Sequence, residues 1–193
     1  MTEYEKMLAG DWYNPLDKEL RQLRLQVRQR LAKYNNSAPE HHKQRRILLA
    51  DIFAAVGTNV FIEPPFNCDY GKHITLGDGV FFNFNCVVLD VAPVTIGNNV
   101  LFGPSVQLYT VNHPLAAAER RTGVEQAAAI SIGDDVWLGG GVIVCPGVTI
   151  GERAVIAAGS VVTKDIPADV LAAGNPCRIL RSLNDTTTAA NTE

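Results

Sequence analysis

An aliphatic residue returns every six positions at Ile132, Leu138, Val144, Ile150, Ile156 and Val162. A second apolar or small residue follows each by four, at Val136, Val142, Val148, Ala154, Ser160 and Ile166. A period of six matches neither the α-helix nor the coiled coil, and Gly and Pro recur too densely for helices. The pattern predicts a solenoid of short strands, each burying its side chains against the coils above and below, with glycines at tight corners. The same pattern appears earlier at Leu76-Gly77, Ile96-Gly97, Phe102-Gly103 and Leu108. Leu76 and Ile96 are 20 residues apart, two more than three hexads, which places a small bulge near Asp90-Val91-Ala92-Pro93. Between Leu108 and Ile132 the period is lost, so residues 109–131 read as a loop thrown out from the solenoid; loops of that length are usually functional.

Ahead of the repeats the period changes to that of a helix. Leu16, Leu20, Leu23, Val27 and Leu31 recur at intervals of three and four, predicting an amphipathic helix from Leu16 to Tyr34. Asp17 and Glu19 favour its start, and Asn35-Asn36-Ser37 with Pro39 ends it. A second helix is expected over Glu40–Val56, with Gly57 as its stop. Arg21, Arg24, Arg28 and Arg30 lie mostly off the apolar stripe and read as a solvated face rather than an anion site. The chain therefore divides into a helical segment over 1–57, a solenoid over 58–183 and a polar tail, NDTTTAANTE, over 184–193 that is expected to be disordered.

Composition narrows the function. Of 193 residues, 47% are hydrophobic and only 7% aromatic, which fits a narrow coil interior filled by small aliphatic layers. Net charge is -3, against nucleic acid as the main partner. It divides unevenly: residues 1–57 carry 10 Lys/Arg against 7 Asp/Glu, and residues 58–193 carry 7 against 13. With neither a long apolar run nor a secretory pattern at the start, the reading is a cytoplasmic protein without a membrane span. Cys68, Cys86, Cys145 and Cys177 are scattered without a C-x-x-C pair, so neither a disulfide framework nor a zinc site is indicated. No P-loop or G-x-G-x-x-G element points to a nucleoside triphosphate or a dinucleotide.

Several blocks in order carry a resemblance. YEKMLAGDWYNPLDKEL, PPFNCDYG, FFNFNCVVLD, NHP and TKDIPADVLAAGNPCRILR resemble successive blocks of the maltose and galactoside O-acetyltransferases, and the likeness extends over nearly the whole chain. The hexads alone resemble the wider group of hexapeptide-repeat acyltransferases. The resemblance implies a mainly β fold: a left-handed parallel β-helix, a departure from the usual right-handed crossover, with a helical N-terminal segment and an extruded loop. It also implies acetyl transfer from acetyl-CoA to a sugar hydroxyl, of maltose or glucose type, by a homotrimer with sites between subunits and no metal. A galactoside or a chitin-type oligosaccharide is the alternative acceptor.

A sugar hydroxyl is a poor nucleophile at neutral pH, so a base must take its proton during attack on the thioester. Histidine suits that task, and general-base catalysis contributes on the order of 10²–10⁴-fold. Of His41, His42, His73 and His113, only His113 lies in the extruded loop, and the NHP match assigns it as the base. The resemblance assigns the acceptor side to Asn83, Asp69 and Glu125, and makes Trp137 the aromatic beside the reacting groups. The QAAA after Glu125 departs from the family's Gly- and Pro-containing continuation. Gly140 occupies the position whose backbone N–H meets the thioester oxyanion. The remaining coenzyme A contacts carry over to Ala158, Thr163, Lys164, Arg178 and Arg181, the last three being cations suited to its phosphates. Two other readings stand beside this one. Metal-dependent carbonic anhydrase chemistry, also found on such helices, needs several histidines around one metal. A non-catalytic scaffold gives no reason for the loop or for the paired arginines.

Overall fold

The computed structural model describes residues 1–184; of the tail read as disordered, all but Asn184 lies outside the described residues. Three helices open the chain. α1, Glu3–Ala9, begins with a capping box between Thr2 and Glu5 and was not visible as a periodic segment, being under two turns of helix long. α2, Lys18–Asn35, is capped by Asp17, whose carboxylate accepts the N–H groups of Glu19 and Leu20, and it buries Leu20, Val27, Leu31 and Tyr34. α3 runs His42–Ile52, not to Val56. The Phe53 N–H still bonds the Leu49 carbonyl, but Phe53 itself is extended. Ala55–Val56 is already a strand paired with Thr75 and Leu76, so Gly57 is a corner of the solenoid rather than a helix stop.

From there the chain winds as a left-handed parallel β-helix of three sheets. The first sheet stacks Ala55–Val56, Ile74–Leu76, Val94–Ile96, Ile130–Ile132 and Thr149–Ile150. The second stacks Phe61–Ile62, Phe81–Phe82, Leu101–Phe102, Trp137–Leu138, Val155–Ile156 and Val170–Ala173, and the third Asn67–Cys68, Val87–Leu89, Gln107–Tyr109, Ile143–Val144 and Val161–Val162. Arg178–Ser182 closes the edge of the second sheet as its one antiparallel strand. Registers give the coil lengths. Phe61 pairs with Phe81 and Phe81 with Leu101, steps of 20; Leu101 pairs with Trp137, a step of 36 that contains the loop; Trp137 pairs with Val155, a step of 18.

Alternate residues of the strands point inward, two of them in Ile74–Leu76, Val94–Ile96 and Ile130–Ile132, and stack on their counterparts. Ile62, Phe82, Phe102, Leu138 and Ile156 form one such column, all fully buried. Each layer removes aliphatic side chains from water at about 1.5–3 kcal/mol apiece. The interior takes more ring volume than the composition suggested. Phe82 and Phe102 stack at 3.9 Å between centroids, and Phe53 and Phe66 pack edge-on beside them, because rings lying perpendicular to the axis fit one coil apart. Corners between the first and second sheets place Asn59, Gly79, Asn99, Asp135, Arg153 and Asp169 in the left-handed region, one per coil. Asn and Asp tolerate that conformation through local hydrogen bonds, which is why the corners need not all be glycine.

The two-residue excess of the longer coils lies in the bends from the third sheet to the first. One such bend is Asp90–Pro93, where the hexad count placed it; the corresponding bend of the coil above is Asp69–His73. The extruded segment is shorter than the 109–131 read from the sequence, because Tyr109 still pairs in the third sheet and Ile130 and Ser131 already pair in the first; residues 110–129 leave the solenoid at the next bend and are more ordered than a plain loop. Val111–Asn112 pairs antiparallel with Gln126–Ala127, and a short helix, α4, spans Ala117–Arg120 between them. Among the described residues no helix is long and apolar enough to cross a membrane.

Candidate active site

The extruded loop is anchored by the N-terminal segment. The Tyr13 N–H donates to the Glu125 carbonyl at 2.9 Å and the Glu125 N–H donates back to the Tyr13 carbonyl at 3.0 Å, so residue 13 adds a one-residue strand to the hairpin base. The Tyr13 hydroxyl donates to Glu125 Oε2 at 2.5 Å. Burial, and then this bond, push the Tyr13 phenol well above its usual range, so it stays a donor. Glu125 Oε1 is left facing His113, with His113 Nε2 3.9 Å away. The His113 side chain is 49% exposed and Glu125 19%, so the imidazole stands at the solvent side of a largely buried carboxylate.

Asp69 lies within electrostatic reach of Glu125, Arg24 and Arg28. Its carboxyl is raised above the usual range, chiefly by burial, with Arg24 opposing. Arg24 also donates to the Tyr70 hydroxyl and the Pro15 carbonyl, tying α2 to the same bend. A cleft between α2 and the third sheet opens here, lined by Arg28, Asn35, Asn67, Asp69 and Leu89. Glu125 thus links His113, which it faces, to Asp69, within its electrostatic reach on the same edge of the third sheet, with Tyr13 as a member that sequence reasoning did not single out. No motif announces Tyr13; only its pairing with a residue 112 positions away does.

The other expected site residues stand elsewhere. Asn83, Gly103, Gly139-Gly140 and Ala157-Ala158 follow one another up the corner between the second and third sheets. Asn83 Oδ1 accepts the Phe84 N–H at 2.8 Å. Trp137 lies on the outer face of the second sheet between Leu101 and Val155 and is 52% exposed, a wall residue rather than core. Gly139 and Gly141 donate their N–H groups to the carbonyls of Ile156 and Pro104, while the Gly140 N–H between them has no acceptor among the described residues. Gly103 makes room for that amide: a Cβ there would sit 2.5 Å from the Gly140 nitrogen. Thr163 and Lys164 are exposed at the following turn, and Arg178 and Arg181 are exposed on the last strand. No ion pair among the described residues engages these three cations.

In one chain, therefore, His113 and Asn83 stand at opposite sides of the third sheet, and no contact joins them. Among the described residues no group of three or more His, Cys, Asp or Glu is arranged to hold a metal ion. All four cysteines are unpaired; burial pushes the Cys86 thiol up to about 11 and raises Cys68, Cys145 and Cys177 as well.

Comparison with known proteins identifies the family. Residues 6–57 match the maltose acetyltransferase hexapeptide capping motif, and residues 129–164 match the bacterial transferase hexapeptide of six repeats. The chain is 41% identical to the galactoside O-acetyltransferase of Escherichia coli over 96% of its own length and 91% of that protein's. A maltose O-acetyltransferase from Clostridium difficile superposes with a TM-score of 0.94 at 43% identity, covering 96% of this chain and 99% of that one. A hexapeptide-repeat acetyltransferase from Vibrio cholerae, solved with acetyl coenzyme A, superposes at 0.89 with 44% identity over 96% and 100% of the two chains. Fold, capping segment and repeats together place the chain in the hexapeptide-repeat acetyltransferase family that includes the maltose and galactoside O-acetyltransferases.

Proposed function

We propose that the protein transfers an acetyl group from acetyl-CoA to a hydroxyl of a sugar, of maltose or glucose type, with His113 as general base. The observation that carries this reading is the imidazole of His113 on an extruded, tethered loop beside Glu125. His113 takes the proton as the sugar oxygen attacks the thioester carbonyl. The C–O bond forms, the C–S bond breaks, and the same proton passes from the imidazolium to the departing sulfur. The Gly140 N–H, with no acceptor of its own, is the donor for the developing oxyanion. Asn83 and Asp69 hold acceptor hydroxyls, and Trp137 walls the site.

Lys164, Arg178 and Arg181 carry the phosphates of coenzyme A, with Ala158 and Thr163 along the rest of that molecule. An acetyl-cysteine intermediate has no support, since thiols raised by burial are poorly nucleophilic at neutral pH.

In this reading the site is completed by a neighbouring copy in a homotrimer. The His113 loop of one subunit meets the Asn83–Gly140–Ala158 corner of the next. Outward side chains support this. The first sheet shows water Thr75, Thr95, Ser131 and Thr149, whereas the second presents Phe61, Phe81, Leu101 and Trp137 in register; the third is mixed, with Val87, Ile143 and Val161 in one column with Asn67 and Gln107. Apolar ladders of that kind mark surfaces covered by a partner. Four unpaired cysteines suit a cytoplasmic setting. Thiol release from acetyl-CoA, measured across glucose, maltose, galactosides and chitin-type oligosaccharides, tests the proposal. Release driven by glucose or maltose supports it; release driven by galactosides or chitin-type oligosaccharides moves the acceptor, and release by none refutes sugar acetylation.

A further inference from the structure

Asp90 is wholly buried, yet nothing in the reaction above uses it. Its Oδ1 accepts the N–H groups of both Asp69 and Tyr70, each at 2.9 Å, and so holds the bend that presents the Asp69 side chain to the acceptor. Its Oδ2 is buried and has no hydrogen-bond partner among the described residues. Burying a carboxyl oxygen without a partner costs stability, and the two N–H groups held by the other oxygen offset that cost.

The column continues one coil further. Thr110, also wholly buried, donates its hydroxyl to the Leu89 carbonyl at 2.7 Å and accepts the Ala92 N–H at 3.0 Å, clasping the bend that contains Asp90. The next residues, Val111–Asn112, are the strand that delivers His113, and the Thr110 carbonyl receives the Ala128 N–H from the strand's return. Across the same bend the Asp90 carbonyl bonds His73 Nδ1 at 2.6 Å, and His73 Nε2 pairs with the Tyr4 hydroxyl at 3.1 Å, which ties in α1.

Resting on the sugar-acetylation reading, the geometry points to Asp90 as a positioning residue for the acceptor: through Thr110 below it and the Asp69–Tyr70 amides above, it fixes the acceptor-binding bend relative to the loop carrying His113. Burial pushes the Asp90 carboxyl up to about 7, so a neutral side chain of the same shape serves the same purpose.

The test measures acetyl transfer by the intact oligomer for wild type, Asp90→Ala and Asp90→Asn, with KM for sugar and for acetyl-CoA taken separately. Thermal unfolding and oligomer size identify the folded variants. D90A is expected to raise the acceptor KM about tenfold and leave the acetyl-CoA KM within about twofold, because only one side of the site is displaced. D90N, whose amide oxygen accepts the same two N–H groups, is expected to restore the acceptor KM to within about threefold of wild type.

An unchanged acceptor KM in D90A, a parallel rise in both KM values, or a D90N as impaired as D90A would overturn the inference. Should D90A fail to fold, D90N and Thr110→Val carry the test. T110V is then expected to raise the acceptor KM, and no change in it overturns the inference. Wild-type enzyme that acetylates no sugar sinks the functional reading instead, so the two failures are separable.

Discussion

Tyr13 and Glu125 are joined three times, by a backbone hydrogen bond in each direction and by the phenol on Oε2, so the helical segment clamps the carboxylate that faces His113. Hydrogen bonds to charged groups contribute about 1.5–3 kcal/mol. Tyr13→Phe is therefore expected to lower kcat about tenfold while both KM values stay within about twofold, since the backbone pair still holds the loop. Steady-state kinetics of the purified variant provide the check; an unaltered kcat would remove Tyr13 from the site.

The separation of His113 from Asn83 across the third sheet predicts complementation between subunits. His113→Ala and Asn83→Ala proteins should each be nearly inactive. Mixed by co-expression, random trimers leave about one site in four with both residues intact, and about a quarter of the wild-type rate should return. A mixture no more active than its parts would mean that each site is built within one chain.

Gly103 and the Gly140 amide are too close for a side chain between them, with 2.5 Å left for a Cβ. Gly103→Ala must push that amide or the neighbouring corner aside. We expect a loss of about 1–3 kcal/mol in stability, read by denaturant unfolding, and a fall in kcat larger than any change in the sugar KM. If Gly103→Ala keeps full kcat, the Gly140 N–H is not the oxyanion donor.

Asp90 also makes a prediction about pH. Its carboxyl is raised to about 7 in the folded chain from an ordinary 3.8, first by burial, with the Tyr70 and Asp69 N–H groups opposing and the Asp69 charge adding. The folded state then binds more protons than the unfolded chain between those values, so the contribution of Asp90 to stability falls as pH rises from about 4 to about 7. Asp69, Tyr70 and His73 face it in both proteins, so comparison with Asp90→Asn isolates the effect. The Tm of D90N should gain on wild type across that window, and a constant difference would contradict the assignment.

The hexads disclosed the solenoid, its bulge at Asp90–Pro93 and the extruded loop because each inward side chain must repeat at a fixed interval to stack. The end of α3 was misplaced because Phe53 to Val56 continue an apolar run whose length alone cannot separate a helix from an incoming strand. The place of His113 on that loop was legible in the sequence; the position of the Glu125 carboxylate beside it was not. Tyr13 and Asp90 were not: what they do depends on hydrogen bonds to residues 112 and about 20 positions away, and no local pattern records those. The ladder of outward apolar residues was hidden for the same reason, since residues adjacent on that face are a whole coil apart in sequence.

The claim on which the rest depends is that His113 is the base, and His113→Ala assayed for acetyl-CoA-dependent transfer to maltose or glucose tests it most directly. The account predicts a kcat lower by about 10²–10⁴-fold in a folded oligomer that still binds acetyl-CoA. A variant that retains wild-type kcat, or wild-type kinetics of the ping-pong form, would contradict it.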